Sequence, residues 1–168
     1  MVATTVELPA RPAASHVRAV SEVARQTLAD GKALSPTITR LLGALDLSDV
    51  IVFVDSRVDP QIPTAQTTLM TSTATVRYVH IVLNPRLTQD DRLTYLGHEL
   101  QHALEIAGDR SATDGPSVRR LFASIGRELA GSTARLKSFE TDEARLISAA
   151  VRRELGQRPR SVTGGGVR

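Results

Sequence analysis

Apolar residues recur at helical spacing between His16 and Ala29 (Val17, Val20, Val23, Ala24, Leu28), which predicts a first helix ended by Asp30-Gly31. Ser35-Pro36, a cap residue followed by a first-turn proline, opens a second helix running to about Leu45. The texture then changes. Asp49–Asp55 (DVIVFVD) is a β-branched run that reads as a strand, and the Thr- and Val-rich stretches Thr67–Thr73 and Thr75–Leu83 read as two more. Asn84-Pro85 ends the last of these. From Thr88 the spacing is helical again, with Asp91 three residues on completing a likeness to a capping box. That helix should reach Ala107 and stop at Gly108. Further helices are expected over Ser117–Ala130 and Phe139–Leu155. Helices, a few strands and helices again indicate an α+β fold.

The ends differ from the middle. Residues 1–14 hold two prolines and little periodicity and read as a flexible arm, and residues 157–168 (QRPRSVTGGGVR) read as a disordered tail. Residues 15–156 are left as one domain. A chain of 168 residues buries roughly 70% of its unfolded surface, enough for a real core. No run approaches the roughly 20 apolar residues of a membrane span, and no signal peptide is visible. A soluble protein is expected, cytoplasmic or exported after removal of a signal.

Two compositional facts narrow the chemistry. Cysteine is absent, which excludes disulfide scaffolds, thiol catalysis and thiolate metal sites. The net charge is +3, and nearly every cation is arginine. Those arginines are spread along the chain, and two tyrosines, three phenylalanines and no tryptophan give little to stack on bases. Nucleic acid is therefore not the expected partner.

The chemistry sits in the Thr88 helix, at Gly97-His98-Glu99-Leu100-Gln101-His102. Residues four apart on an α-helix project about 40° from one another, so His98 and His102 aim two imidazoles at one point. Two neutral imidazole nitrogens bind Zn²⁺, and Glu99, about 100° round from His98, stands beside such an ion as a base for its water. Leu93, Leu96, Leu100, Ala103, Leu104 and Ala107 form an apolar stripe on the other side. The bland alternative is a solvated helical face that happens to carry these three residues.

A zinc site needs a third protein ligand. The remaining histidines are His16, near the arm, and His80, on a predicted strand. Glu105 is the nearest carboxylate, but a third ligand from the same short stretch closes a tetrahedron poorly. In the predicted Phe139–Leu155 helix the apolar arc is Phe139, Ala144, Ile147, Ala150, Val151 and Leu155, and Glu140 and Glu143 both fall inward. A carboxylate there is costly unless it is paired, with Arg145 or Arg119 for example, or bound to metal.

At these residues the chain resembles a family. His98-Glu99-x-x-His102 with a glutamate on a later helix looks like the gluzincin type of zinc metallopeptidase. GHELQHALEIA (97–107) and FETDEA (139–144) are similar to small bacterial proteins of that arrangement. The resemblance covers about Val79–Glu154. It implies a minimal zincin: N-terminal helices, a small sheet, the active-site helix and C-terminal helices. It further implies a catalytic Zn²⁺ on His98, His102 and Glu140, a water activated by Glu99, and hydrolysis of peptide bonds. Glu143 would then hydrogen-bond a ligating histidine. The family also uses an antiparallel edge strand to hold the substrate backbone, for which Tyr78–Leu83 is the candidate. Many members take an oxyanion-stabilising tyrosine or histidine from a further domain. No histidine follows His102 and no tyrosine follows Tyr95, so that role is left to an arginine, to Tyr78 or His80, or to nothing.

The expected function is thus a zinc-dependent peptidase acting on a peptide or protein. The alternatives are a zinc-binding, poorly catalytic module that recognises peptides or partners, and a helical protein with no metal.

Overall fold

The computed structural model describes residues 14–128 and 139–157. Most of the expected arm and most of the expected tail lie outside those residues. Strand alternation organises the rest. Along β2 (Val50–Ser56) and β4 (Arg77–Leu83), Val50, Val52, Val54, Val79, Ile81 and Leu83 are buried on one face. The intervening Ile51, Phe53, Tyr78 and His80 are half-buried on the other. Both strands belong to a four-stranded sheet in the order β1-β2-β4-β3, with β1 at Val17–Ala19 and β3 at Ala65–Ser72. β1, β2 and β4 run parallel, and β3 pairs antiparallel with β4 at the edge.

The helices α1 (Glu22–Leu34), α2 (Pro36–Asp46) and α3 (Gln89–Gly108) cover the apolar face of that sheet. Beyond them come α4 (Gly115–Ile125), a small hairpin of β5 (Gly126–Glu128) and β6 (Phe139–Thr141), and α5 (Asp142–Gly156). The architecture is α+β, with five helices and a small mixed sheet among the described residues. Among the described residues, no helix is long and apolar enough to cross a membrane.

Three boundaries differ from those expected, each for a local reason. The first helix does not begin at His16. Its first residues pair with β2 instead, Val52 N–H donating to His16 O and Val20 N–H to Val54 O, both at 2.8 Å. Ser21 then caps α1, which continues through Asp30-Gly31. Gly31 is not a stop but a contact: a Cβ there would stand 3.1 Å from Ile38 and 3.4 Å from Leu96. Second, the fourth helix ends at Ile125, and residues 126–128 turn into β5. Third, α5 starts at Asp142 rather than Phe139, because Thr141 caps it by accepting from Ala144 N–H at 3.1 Å. Phe139, Glu140 and Thr141 are strand residues, so the helical phase assigned to Glu140 does not apply.

α3 is the centre of the molecule. Thr88 caps its start, accepting from Asp91 N–H. At its other end the buried Arg77 guanidinium donates to Ile106 O and Asp109 O, both at 2.6 Å, and to Ala107 O at 3.0 Å. Three carbonyls at the negative end of the helix thus receive a cation from the sheet. Asp49 Oδ1, 2.7 Å from Arg77 Nη2, balances that charge, and the hydrogen bond holds its carboxyl below the usual carboxylate range. The expected division of α3 into a core face and an open face is only partly realised. Gly97, Leu100 and Ala103 are buried, but so are Glu99 and His102, because α5 and β3 close around the helix.

Candidate metal centre

The i,i+4 spacing brings His98 and His102 together: their Nε2 atoms stand 3.0 Å apart. Their other nitrogens are taken. His98 Nδ1 lies 3.1 Å from Ser148 Oγ, and that hydroxyl gives its own proton to Ala144 O at 3.0 Å. Ser148 therefore accepts, and His98 carries its proton on Nδ1. His102 Nδ1 lies 2.7 Å from Glu105 Oε2, a carboxylate that only accepts, so His102 also presents Nδ1–H. Both Nε2 lone pairs then face the same point. Two converging lone pairs at that distance repel unless a proton or a metal cation stands between them. Nitrogens held about 2.0–2.1 Å from one tetrahedral Zn²⁺ would be roughly 3.3–3.4 Å apart. The observed separation is within a few tenths of an ångström of that.

The electrostatics of the two rings differ. Burial, then the neighbouring His102, push His98 down to about 4, which keeps it neutral and able to ligate at ordinary pH. For His102 burial acts in the same sense, but the Glu105, Glu99 and Glu140 carboxylates outweigh it and raise its pKa. The ring edge of Phe122 from α4 closes one side of His102, with centroids 5.1 Å apart.

Glu99 is buried beside the pair at 6% exposure. Thr67 on β3 donates to its Oε2 at 2.6 Å, and burial pushes its carboxyl up in pKa. A basic oxygen with a raised pKa, in a cleft, is the property a proton acceptor needs.

A cavity of about 560 Å³ opens onto these residues. Its walls are β3 with the segment before it (Gln61–Leu69), α3 (Tyr95, His98, Glu99, His102), one face of α4 (Gly115, Val118, Arg119, Phe122) and β6 (Phe139, Glu140). Glu140 therefore lines the same cavity, though from a strand. Among the described residues, no three His, Asp or Glu side chains are already closed around one point, and the histidine pair is the assembled part.

The other expected positions are not in the cavity. Glu143 is exposed in the first turn of α5, and the places beside the histidines belong to Ser148 and Glu105. Tyr78 and His80 lie on the outer face of the sheet, Tyr78 stacked on Phe53 at 6.4 Å. Burial, then Arg57, lower the His80 pKa there. Nor is Tyr78–Leu83 an edge: β4 is bonded on both sides, and β3 is the edge strand on the cavity side.

No family model, curated protein or solved structure matches the chain.

The site is thus read from its own chemistry. Residues that motif reading did not select complete it. Glu105, the carboxylate nearest in sequence, accepts from His102 Nδ1. Ser148 sits one turn after Ala144 on the face that packs on α3, a signal visible once that face is known. Thr67, Arg119 and Phe122 carry no local signal, since only the packing of β3 and α4 around His102 gathers them, whereas Tyr95 lies one turn before His98 on α3 itself.

Proposed function

We propose that this chain is a zinc-dependent peptidase of the gluzincin type. The observation that carries the reading is the pair of converging Nε2 atoms, 3.0 Å apart with both Nδ1 positions engaged, beside the buried Glu99. His98 and His102 would hold the ion, with Glu140 from the adjoining strand as third ligand. When bound, zinc supplies a Lewis acid that acidifies water and polarises a carbonyl.

The rest is the work of the chain. Glu99 accepts a proton at the carboxylate whose Oε2 is already oriented by Thr67, and returns it to the leaving amine. Tyr95 and Arg119 line the cavity with groups that can donate to a developing oxyanion, in place of Tyr78 or His80. β3 supports a peptide substrate: an edge strand has backbone groups free to pair with an extended chain, and this one forms a cavity wall.

An unbiased peptide library, read by mass spectrometry, tests the reading. Glu99→Gln keeps volume but cannot accept the proton, and cleavage should fall by about 10²–10⁴-fold with zinc retained. Equal cleavage by parent and variant would remove Glu99 as the base. The second reading is a zinc-binding peptide-recognition module, favoured by the fact that among the described residues no third ligand is already assembled with the histidine pair. It is the outcome if library peptides bind but none is cut.

A further inference from the structure

We propose that Thr141 is a positioning residue, which through Glu105 fixes the His102 tautomer that leaves Nε2 free. Docking of the β6–α5 junction and competence of the metal pair would then be one event. The proposal rests on the metal reading above.

The hydrogen bonds have a direction. Thr141 Oγ1 accepts from Ala144 N–H at 3.1 Å and donates to Glu105 Oε1 at 2.6 Å. Its only proton is therefore committed to Glu105. Glu105 Oε2 takes the Nδ1 proton of His102 at 2.7 Å. A carboxylate has no proton to give, so both neighbours must donate. Thr141 is 2% exposed and the Glu105 side chain 8%, so little water is at hand to substitute for either partner.

The same turn of α5 sets the other histidine. Ser148, which receives the His98 proton, donates to Ala144 O, while Ala144 N–H goes to Thr141. The two backbone groups of Ala144 thus anchor the two hydroxyls that decide both tautomers. Thr141 also directly follows Glu140, the third ligand under the reading above, so one capped junction presents the ligand and orients its partner.

Glu105→Gln tests this with shape conserved. The Thr141 proton claims the amide oxygen, so the amide NH₂ faces His102 Nδ1. That nitrogen must then accept, its proton moves to Nε2, and Nε2 is closed to metal. Zinc affinity, measured by chelator competition, should weaken by about 10–100-fold. Imidazole ¹⁵N NMR of the metal-free protein at alkaline pH should show the proton on Nε2 in the variant and on Nδ1 in the parent. Thr141→Val should also weaken zinc and Thr141→Ser restore it; because Val removes the α5 cap as well, Glu105→Gln is the cleaner variant. If the parent binds zinc and Glu105→Gln binds as tightly with an unchanged tautomer, the inference fails alone. If the parent binds no zinc the metal reading fails, while the NMR comparison still decides whether Thr141 and Glu105 set the tautomer.

Discussion

A Cβ on Gly97 would stand 2.9 Å from Val151 Cγ2, so the residue just before His98 is what lets α5 lie directly on α3. Ile147 Cγ2, at 3.3 Å, closes the same contact. This approach sets the depth at which Ser148 meets His98.

Gly97→Ala pits two effects against each other. Alanine gains about 1 kcal/mol of helix propensity over glycine. Overpacking a buried contact costs about 1–3 kcal/mol, and the clashing atoms belong to fully or nearly buried β-branched side chains with little room to turn. We expect net destabilisation of up to about 2 kcal/mol, read by urea unfolding. A stabilised variant would mean that α5 moves away at no cost.

Thr67→Val removes the donor that stabilises Glu99 as a carboxylate. A hydrogen bond to a charged group contributes about 1.5–3 kcal/mol, which corresponds to roughly a ten- to hundredfold effect. Peptide hydrolysis should fall by about that factor at neutral pH, with zinc content unchanged, in a parallel assay of cleavage and metal. Loss of metal along with activity would mean that Thr67 acts on the histidine pair instead.

Glu140→Gln and Glu143→Gln separate the two glutamates. Glu140 faces the cavity and Glu143 is exposed, so only the first should weaken zinc in a chelator titration. His98→Ala and His102→Ala set the scale, since two remaining ligands hold zinc poorly. The first substitution should also remove the rise in melting temperature that zinc gives the parent. Should Glu143→Gln lose the metal and Glu140→Gln keep it, the ligand comes from α5 and not from β6.

Glu154 carries a pH dependence away from the site. It accepts from Ser35 Oγ at 2.5 Å, Thr37 Oγ1 at 2.6 Å and Thr37 N–H at 3.3 Å, tying α5 to the start of α2. Burial raises its pKa, but the hydrogen bonds from Ser35 and Thr37 outweigh that and the net shift is downward. A folded pKa below the unfolded one contributes stability that is complete above the unfolded value, about 4.3 for glutamate, and is lost as pH falls through the folded value. Glu154→Gln should therefore be less stable than the parent at neutral pH, and the gap should shrink in acid. Urea unfolding at both pH values reads it; a gap independent of pH would mean that the Glu154 charge contributes nothing.

Much of this protein was legible along the chain. Alternation of Val50, Val52 and Val54 marks a strand buried on one face wherever it pairs, and Ser35-Pro36 and Thr88 mark helix starts because capping is a local act. His98, Glu99 and His102 meet because helical spacing alone makes them meet. What lay beyond local reach was everything that depends on a partner distant in sequence. Val17–Ala19 has helical spacing, yet backbone bonds to β2 make it a strand. Glu140 looked helical until Thr141 took the cap position. Glu143 had the right chemistry for a histidine partner, but Glu105 and Ser148 were nearer once α5 settled on Gly97. Spacing within one helix fixes angles between its own side chains, whereas which oxygen reaches which nitrogen is decided by how separate elements pack.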